Sequence, residues 1–254
     1  MRINTVVALC IAATTAVVFT GCADSNDAKS TGGATPTPSK AAEPFPGMSG
    51  GEIADKAFRT TMDARSVRVK GDIQDEASGG PLRIDIALDS EGDCVGTLSA
   101  DGGRTDVIRV GDAVYTRFDE AFLRAQMKGE PKEDTDAAVD MLAGKWTTSG
   151  KDAEAAEIAD LCDLETLLGD ETQGASDATR GRTTTVGGTP ALALEEKDGK
   201  DTYTAYVATT GKPYVLRLDS DAADDTGSLV FSDYDKPVAA KKPAGEILDL
   251  DDLG

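Results

Sequence analysis

Apolar and polar residues alternate through two long stretches of this chain, and this alternation restricts the fold more than any other feature. Between residues 82 and 89 every even position is Leu or Ile, and the odd positions carry Arg83, Asp85, Ala87 and Asp89. Successive side chains of a strand point to opposite faces, so a period of two indicates a half-buried strand. The first stretch predicts strands over residues 67–73, 82–88, 94–100, 105–110 and 113–118. The second predicts strands over residues 182–186, 191–196, 202–209, 214–219 and 228–232.

Helical patterns precede the first stretch and separate it from the second. Ser49 and Glu52 form a capping box, which predicts a helix over residues 49–64. Three further helical windows cover residues 121–128, 136–142 and 152–168. Because no helix connects successive strands within a stretch, we expect an α+β fold with an antiparallel sheet. A sheet of about ten strands must curl or close. Curling would give a concave apolar face, which the helices either fill completely or cover with a pocket left beneath them.

The first 22 residues have the features of a secretory signal. Arg2 is followed by an apolar run over residues 6–19, and small residues Thr20 and Gly21 precede Cys22. This arrangement predicts a lipoprotein signal in which Cys22 is lipidated and becomes the mature N-terminus. The alternative is an ordinary secretory cleavage site. Lipidation would place the protein on the extracytoplasmic face of the cell membrane.

A polar segment separates Cys22 from the first predicted helix. Residues 23–48 include Pro36, Pro38, Pro44 and Pro46 and show almost no apolar periodicity, which is typical of a linker. The predicted organisation is a signal peptide at 1–21, a lipidated cysteine and linker at 22–48, a curved-sheet domain at 49–234 and a C-terminal arm at 235–254.

Processing of the signal would leave Cys94 and Cys162 as the two thiols of the exported domain. Disulfides persist outside the cell, so we expect these residues to be bridged. The bridge would join a strand to a helix. Two buried free cysteines are the alternative, since sequence spacing does not show proximity.

Charge and composition exclude several classes of function. The chain carries 46 acidic against 26 basic residues, a net charge of −20, and it contains no histidine. An acidic protein gains nothing from phosphate backbones, so we expect no nucleic-acid partner and no affinity for anionic membranes without a lipid anchor. Without histidine the common nucleophilic triads and imidazole zinc sites are excluded, and we predict no enzyme, no catalytic residue and no cofactor.

The densest acidic cluster also fails as a metal site. Asp219, Asp221, Asp224 and Asp225 lack the central glycine and terminal glutamate of a calcium loop. We therefore predict no metal ligands.

Several short motifs resemble those of a known family. They are TGC at residues 20–22, SVRVKG at 66–71, IRVGDAVY at 108–115, GKW at 144–146 and LCDL at 161–164. With the order of the predicted elements over residues 49–234, they resemble the LolA-like lipoproteins, which include the LppX and LprG lipid-binding lipoproteins. The resemblance implies antiparallel half-barrels with helices on the concave side and a role in carrying acylated lipids. It transfers no individual ligand contact.

Candidate pocket residues are therefore chosen from the alternating apolar positions and the aromatic residues. These are Ile84, Ile86, Val110, Tyr115, Phe118, Phe122, Trp146, Leu194, Val207 and Leu216. The alternative for the aromatic members is that they pack the helices against the sheet.

Two functions are consistent with the sequence. The first is a membrane-anchored lipoprotein that binds a hydrophobic, acylated ligand between sheet and helices, for lipid transport or envelope maintenance. The second is a non-catalytic surface sensor or interaction module with a filled core, whose acidic surface suits a basic protein partner. A cavity of about 300 Å³ or more would favour the first.

Overall fold

The computed structural model of the chain describes residues 43–75, 80–149, 153–168, 176–222 and 226–252. Twelve strands form one sheet in the order β12-β6-β5-β4-β3-β2-β1-β11-β10-β9-β8-β7. The strands are β1 Ser66–Asp75, β2 Gly80–Asp89, β3 Cys94–Ala100, β4 Gly103–Val110, β5 Ala113–Phe118, β6 Trp146–Thr148, β7 Thr179–Val186, β8 Thr189–Asp198, β9 Asp201–Ala208, β10 Val215–Ser220, β11 Gly227–Ser232 and β12 Ile247–Asp249. The helices are α1 Gly50–Met62, α2 Glu120–Gln126, α3 Lys132–Leu142, α4 Ala153–Leu161 and α5 Leu164–Leu168.

The predicted fold class is confirmed as an open, curved α+β sheet with helices packed against it. All ten predicted strands are present. Neighbouring strands pair antiparallel, except for β12 and β6 at one edge of the sheet. Two short strands, β6 and β12, were not predicted from the sequence. β12 pairs in parallel with β6, so part of the predicted C-terminal arm forms one edge of the sheet. Three-residue strands are too short to display a period of two.

The predicted helix over residues 152–168 is divided in two. α4 ends at Leu161, and the carboxylate of Asp163 accepts a hydrogen bond from the N–H of Thr166 at 2.8 Å. Asp163 thus caps the start of α5. The apolar period continues across this break, which explains why the sequence indicated one helix.

One face of the sheet, here called the inner face, packs against the helices. Its central part is a core that includes Val69, Ile86 and Val107, each fully buried. On α1, Ile53 and Ala57 face this core and are also fully buried. The inner face therefore supplies most of the apolar burial that stabilises the domain.

The start of α1 lies unusually close to the segment that leads into β7. A Cβ atom on Gly50 would lie 2.1 Å from the carbonyl oxygen of Ala178, and one on Gly51 would lie 1.9 Å from that of Ser176. Both positions therefore require glycine. Ser49 completes the capping box predicted from the sequence, since it bonds reciprocally with Glu52.

A disulfide joins Cys94 and Cys162, as predicted, with 5.6 Å between their Cα atoms. Both cysteines are fully buried. The bridge connects the start of β3 to the residue that follows α4. Beside it, Arg109 donates a hydrogen bond to the carbonyl oxygen of Ala159 at 3.1 Å. The sheet thus holds the C-terminal end of α4 through a disulfide and a hydrogen bond.

The opposite face, here called the outer face, is lined by paired charges. Asp85 accepts ion pairs from Arg68 at 2.6 Å and Lys70 at 3.0 Å. Burial raises the pKa of Asp106, but hydrogen bonds from Arg117 and Arg104 outweigh it and hold that pKa below its ordinary value. These pairs keep the outer face polar along the middle of the sheet.

The residues just before α1 are held against the domain by Arg180 in β7. Its guanidinium donates hydrogen bonds to the carbonyl oxygens of Phe45, at 3.0 Å, and Met48, at 2.9 Å. It also pairs with Glu43 at 3.1 Å. Phe45 and Met48 pack against the central core, so the folded domain begins several residues before the predicted boundary at Ser49.

Candidate ligand cavity

A cavity of about 580 Å³ lies between the inner face of the sheet and helices α1 and α5. The lining residues are Ala54, Phe58, Ile73, Thr166, Leu167, Leu168, Ser176, Ala178, Leu194, Glu196, Lys197, Asp198, Tyr203, Thr204, Ala205, Leu218, Asp219, Ser220, Gly227 and Leu229. Half of these residues are apolar. The volume falls within the range of about 300–1,000 Å³ that is usual for small-molecule sites.

The floor of the cavity contains a row of apolar residues that crosses four strands. Leu194 lies opposite Ala205, Ala205 opposite Leu218, and Leu218 opposite Leu229. Leu194 is buried, whereas the other three remain half-buried because the helices do not cover them. The structure thus leaves apolar surface of the sheet uncovered inside the cavity.

The next row of the floor is more polar. It consists of Glu196, Tyr203, Ser220, Gly227 and Ile73, each opposite the next in the register. A Cβ atom on Gly227 would lie 2.7 Å from the carbonyl oxygen of Asp72. That position therefore requires glycine, because β1 approaches it closely.

Hydroxyl groups accompany the carboxylate at the polar end. Ser176 donates a hydrogen bond to Glu196 at 2.6 Å, and its hydroxyl accepts one from the N–H of Ala178 at 3.1 Å. Tyr203 is 39% exposed, and Thr166 lines the cavity from α5. The cavity therefore has an apolar end and a hydrogen-bonding end.

Asp219, which borders the cavity, is engaged with residues beside it. Burial raises the pKa of Asp219, but hydrogen bonds from Arg217 and Ser228 outweigh it and lower that pKa below its ordinary value. The guanidinium of Arg217 also lies over the ring of Tyr206, 4.9 Å from its centre. Asp219 thus already has a cationic partner in the protein.

Of the ten predicted pocket residues, the structure places Leu194 in the lining of the cavity. Ile84, Ile86 and Val207 share its inner face but are fully buried in the central core. Helix α4 and the disulfide are packed against the same core. These side chains consequently serve packing.

Phe118 and Phe122 belong to a second, smaller core. Their rings stack with centres 5.2 Å apart, and Leu123 and Val139 pack beside Phe118. Phe118 also borders a void of about 20 Å³, which has room for about one water molecule. These aromatic residues attach α2 and α3 to the sheet, which is the alternative that the sequence left open.

The four remaining predicted residues lie away from the inner face. Tyr115 is opposite Ile108 and shares the outer face with Val110. Trp146 is on the same side, where the guanidinium of Arg117 lies 4.7 Å from the centre of its ring. Leu216 packs in a separate small cluster with buried Ala191 and Ala208.

The helical residues of the cavity were not predicted. Phe58 and Leu167 were placed within helices, but nothing in their helical periodicity indicates whether a residue packs tightly or borders a void. Leu218 and Ala205 follow a period of two, which assigns each to one face of its strand but does not show that the helices cover that face. The hydrogen-bonding residues Glu196 and Ser176 gave no sequence signal.

Cys22 and the neighbouring motif at residues 20–22 lie outside the described residues, as do Asp224 and Asp225 of the acidic cluster. Within the described ranges, no three cysteine or acidic side chains are grouped so as to hold a metal ion. Among the helices described, none is long and apolar enough to cross a membrane.

Neither a protein-family model nor the sequence of a curated protein matches this chain. Among solved structures, the chain is similar to the lipoprotein LppX of Mycobacterium tuberculosis, with a TM-score of 0.51 and 13% identity over 74% of this chain and 97% of LppX. It is also similar to LprF from Mycobacterium bovis, with a TM-score of 0.54 and 13% identity over 77% of this chain and 97% of LprF.

At this level of identity the likeness concerns the fold. It covers nearly the whole of both structures, and it agrees with the element order from which the sequence resemblance was drawn. The chain therefore shares the fold of LppX and LprF, in agreement with the fold that the sequence resemblance implied.

Proposed function

We propose that this protein is a cell-envelope lipoprotein that binds a hydrophobic, acylated ligand in the cavity and carries it without chemical change. The observation that supports this function is the floor of half-buried apolar side chains within a space of about 580 Å³. Exposed apolar surface costs about 25 cal/mol per Å² in water, so an acyl chain laid on this floor gains free energy by covering it.

The cavity also supports one of the two functions that the sequence left open. An interaction module with a filled core needs no such space, whereas a carrier does. The volume exceeds the threshold of about 300 Å³ for a ligand site and therefore favours the carrier.

Lipidation at Cys22 belongs to the same proposal. The net charge of −20 would repel the domain from anionic lipid headgroups, so acyl chains on Cys22 would supply the attachment to the membrane. Such an anchor would hold the cavity near a source of acylated ligands on the extracytoplasmic side.

The test is to purify the full chain from its native host, extract it with organic solvent and identify released lipids by mass spectrometry. We expect a reproducible lipid in the wild-type extract and a reduced amount from the variant Ala205→Phe. Ala205 has the smallest side chain of the apolar row, so the added ring would occupy the ligand's space.

Val230→Phe is the matched control, because Val230 follows a floor residue in β11 and points to the opposite face, where it is 37% exposed. Its lipid content should equal that of the wild type. Urea unfolding midpoints would verify that both variants are folded. Absence of lipid from the wild type, or full lipid content in a folded Ala205→Phe protein, would contradict the proposal.

A further inference from the structure

The polar end of the cavity carries two carboxylates, and no cation among the described residues forms an ion pair with either of them. Glu196 and Asp198 line it from β8, and the hydrogen bond to Glu196 from within the cavity comes from the neutral hydroxyl of Ser176. Lys197 is the one basic residue among the described lining residues. It alternates with Glu196 along β8, which directs it toward the outer face.

The arginines beside the cavity do not compensate this charge either. Arg180 lies opposite Leu194 in β7, but its guanidinium is bound to Glu43 and to the carbonyl oxygens of Phe45 and Met48. Arg217 is hydrogen-bonded to Asp219 and stacked over Tyr206, so its guanidinium is already engaged on the outer face. An anionic headgroup entering the polar end would therefore meet Glu196, with no cation among the described residues placed to receive it.

The same end is well suited to a neutral headgroup that carries hydroxyls. Glu196 accepts hydrogen bonds, and the hydroxyl of Ser220, in the same row of the floor, can both donate and accept. A glycerol or sugar headgroup offers both kinds of group. A phosphate offers mainly acceptors and adds repulsion.

We infer that Glu196 is a specificity-determining residue, which makes the cavity select acyl ligands with a neutral, hydroxyl-bearing headgroup over those with an anionic headgroup. The inference rests on the proposed function, since it assigns the headgroup of the ligand whose acyl chain lies on the apolar floor. A carboxylate and a phosphate brought close together in a partly dehydrated site repel strongly, so we expect a preference of roughly fivefold or more.

Two probes with the same fluorescent acyl chain test this inference. One is a monoacylglycerol, and the other is the corresponding acylglycerol phosphate, which differs by the phosphate alone. Binding of each to the full chain at low ionic strength gives a ratio of dissociation constants that is independent of the acyl chain. The wild type should bind the neutral probe more tightly.

Glu196→Gln should bring this ratio closer to one, because the amide keeps an acceptor for Ser176 and removes the charge. Glu195→Gln is the matched control, since Glu195 is exposed on the opposite face and its replacement changes the net charge equally. Its ratio should equal that of the wild type. Asp198→Asn, as a second cavity variant, should shift the ratio in the same direction by a smaller amount.

Equal binding of both probes by the wild type, or an unchanged ratio in Glu196→Gln, would overturn this inference and leave the proposed function intact. Failure of both probes to bind would instead contradict the proposed function and the inference with it. The two failures are therefore distinguishable.

Discussion

Thr61 connects α1 to the sheet through a buried hydrogen bond. Its hydroxyl accepts from the backbone N–H of Val215 at 3.0 Å, and both residues are fully buried. The bond lies where the register of β10 becomes irregular, between Val215 and Arg217. This bond thus helps to hold the C-terminal half of the helix that roofs the cavity.

Replacing this hydroxyl should destabilise the protein. Thr61→Val keeps the shape of the side chain but leaves a buried N–H without its acceptor, and we expect the free energy of unfolding to fall by about 1–3 kcal/mol. Urea unfolding measures the change. Thr60→Val is the control, since the hydroxyl of Thr60 bonds only to the carbonyl oxygen of Lys56 in its own helix. Equal stability of the two variants would contradict this role for Thr61.

The disulfide helps to position α5, and this helix forms one wall of the cavity. Cys162 is two residues from the start of α5, and Thr166, Leu167 and Leu168 of this helix line the cavity. Cross-linking residues 68 positions apart also restricts the unfolded chain. The bridge therefore affects both the stability of the domain and the ligand site.

The double variant Cys94→Ala/Cys162→Ala should unfold with about 2–4 kcal/mol less free energy than the oxidised wild type. It should also bind the neutral fluorescent probe less tightly, because α5 is no longer held to β3. Reduced wild-type protein serves as the control and should behave like the variant. Alkylation of both Cys94 and Cys162 in unreduced protein, located by peptide mass spectrometry, would refute the bridge.

The sequence allowed the element order to be predicted, but it identified few of the residues of the site. Alternation shows that Tyr115 and Val110 lie on one face of a strand, without showing which face the helices cover. Only the pairing of all the strands decides this, and it places these residues opposite the cavity. Large apolar side chains such as Ile84 and Ile86 pack in the core, whereas the floor of the cavity includes the small side chain of Ala205.

Three distant stretches of the chain meet at Asp235. Its carboxylate accepts hydrogen bonds from the N–H of Arg65 at 3.0 Å, from the hydroxyl of Tyr214 at 2.8 Å and from Lys212 at 3.1 Å. The hydrogen bond from the Arg65 backbone, together with those from Tyr214 and Lys212, lowers the pKa of Asp235 well below its ordinary value. The ionised carboxylate thus joins the end of α1, the β9–β10 turn and the segment after β11.

This arrangement gives the whole molecule a defined dependence on pH. The folded protein favours the ionised form of Asp235. The contribution of this carboxylate to stability is therefore full above its pKa of about 3.9 in the unfolded chain, and it is lost as the pH falls toward its lower pKa in the folded protein. Asp235→Asn should therefore be less stable than the wild type at pH 7, and the difference should shrink below about pH 4. Asparagine tolerates the positive φ of 60° at this position, so the backbone is retained.

Urea midpoints between pH 3 and pH 7 measure this dependence. Asp112→Asn, in the exposed turn between β4 and β5, makes the same change in net charge and is the control. A stability difference for Asp235→Asn that stayed constant over this range would show that the carboxylate's charge is not involved.

An open sheet of twelve strands has two edges, and each edge strand has features that hinder pairing with another sheet. One edge strand, β12, is only three residues long, while the other, β7, carries Arg180 and Arg182 and an irregular register between Arg180 and Thr183. Short edges, charged side chains and bulges all hinder the pairing of one sheet with another. Crowded copies of this protein should therefore resist edge-to-edge aggregation, even though each exposes the borders of a large sheet.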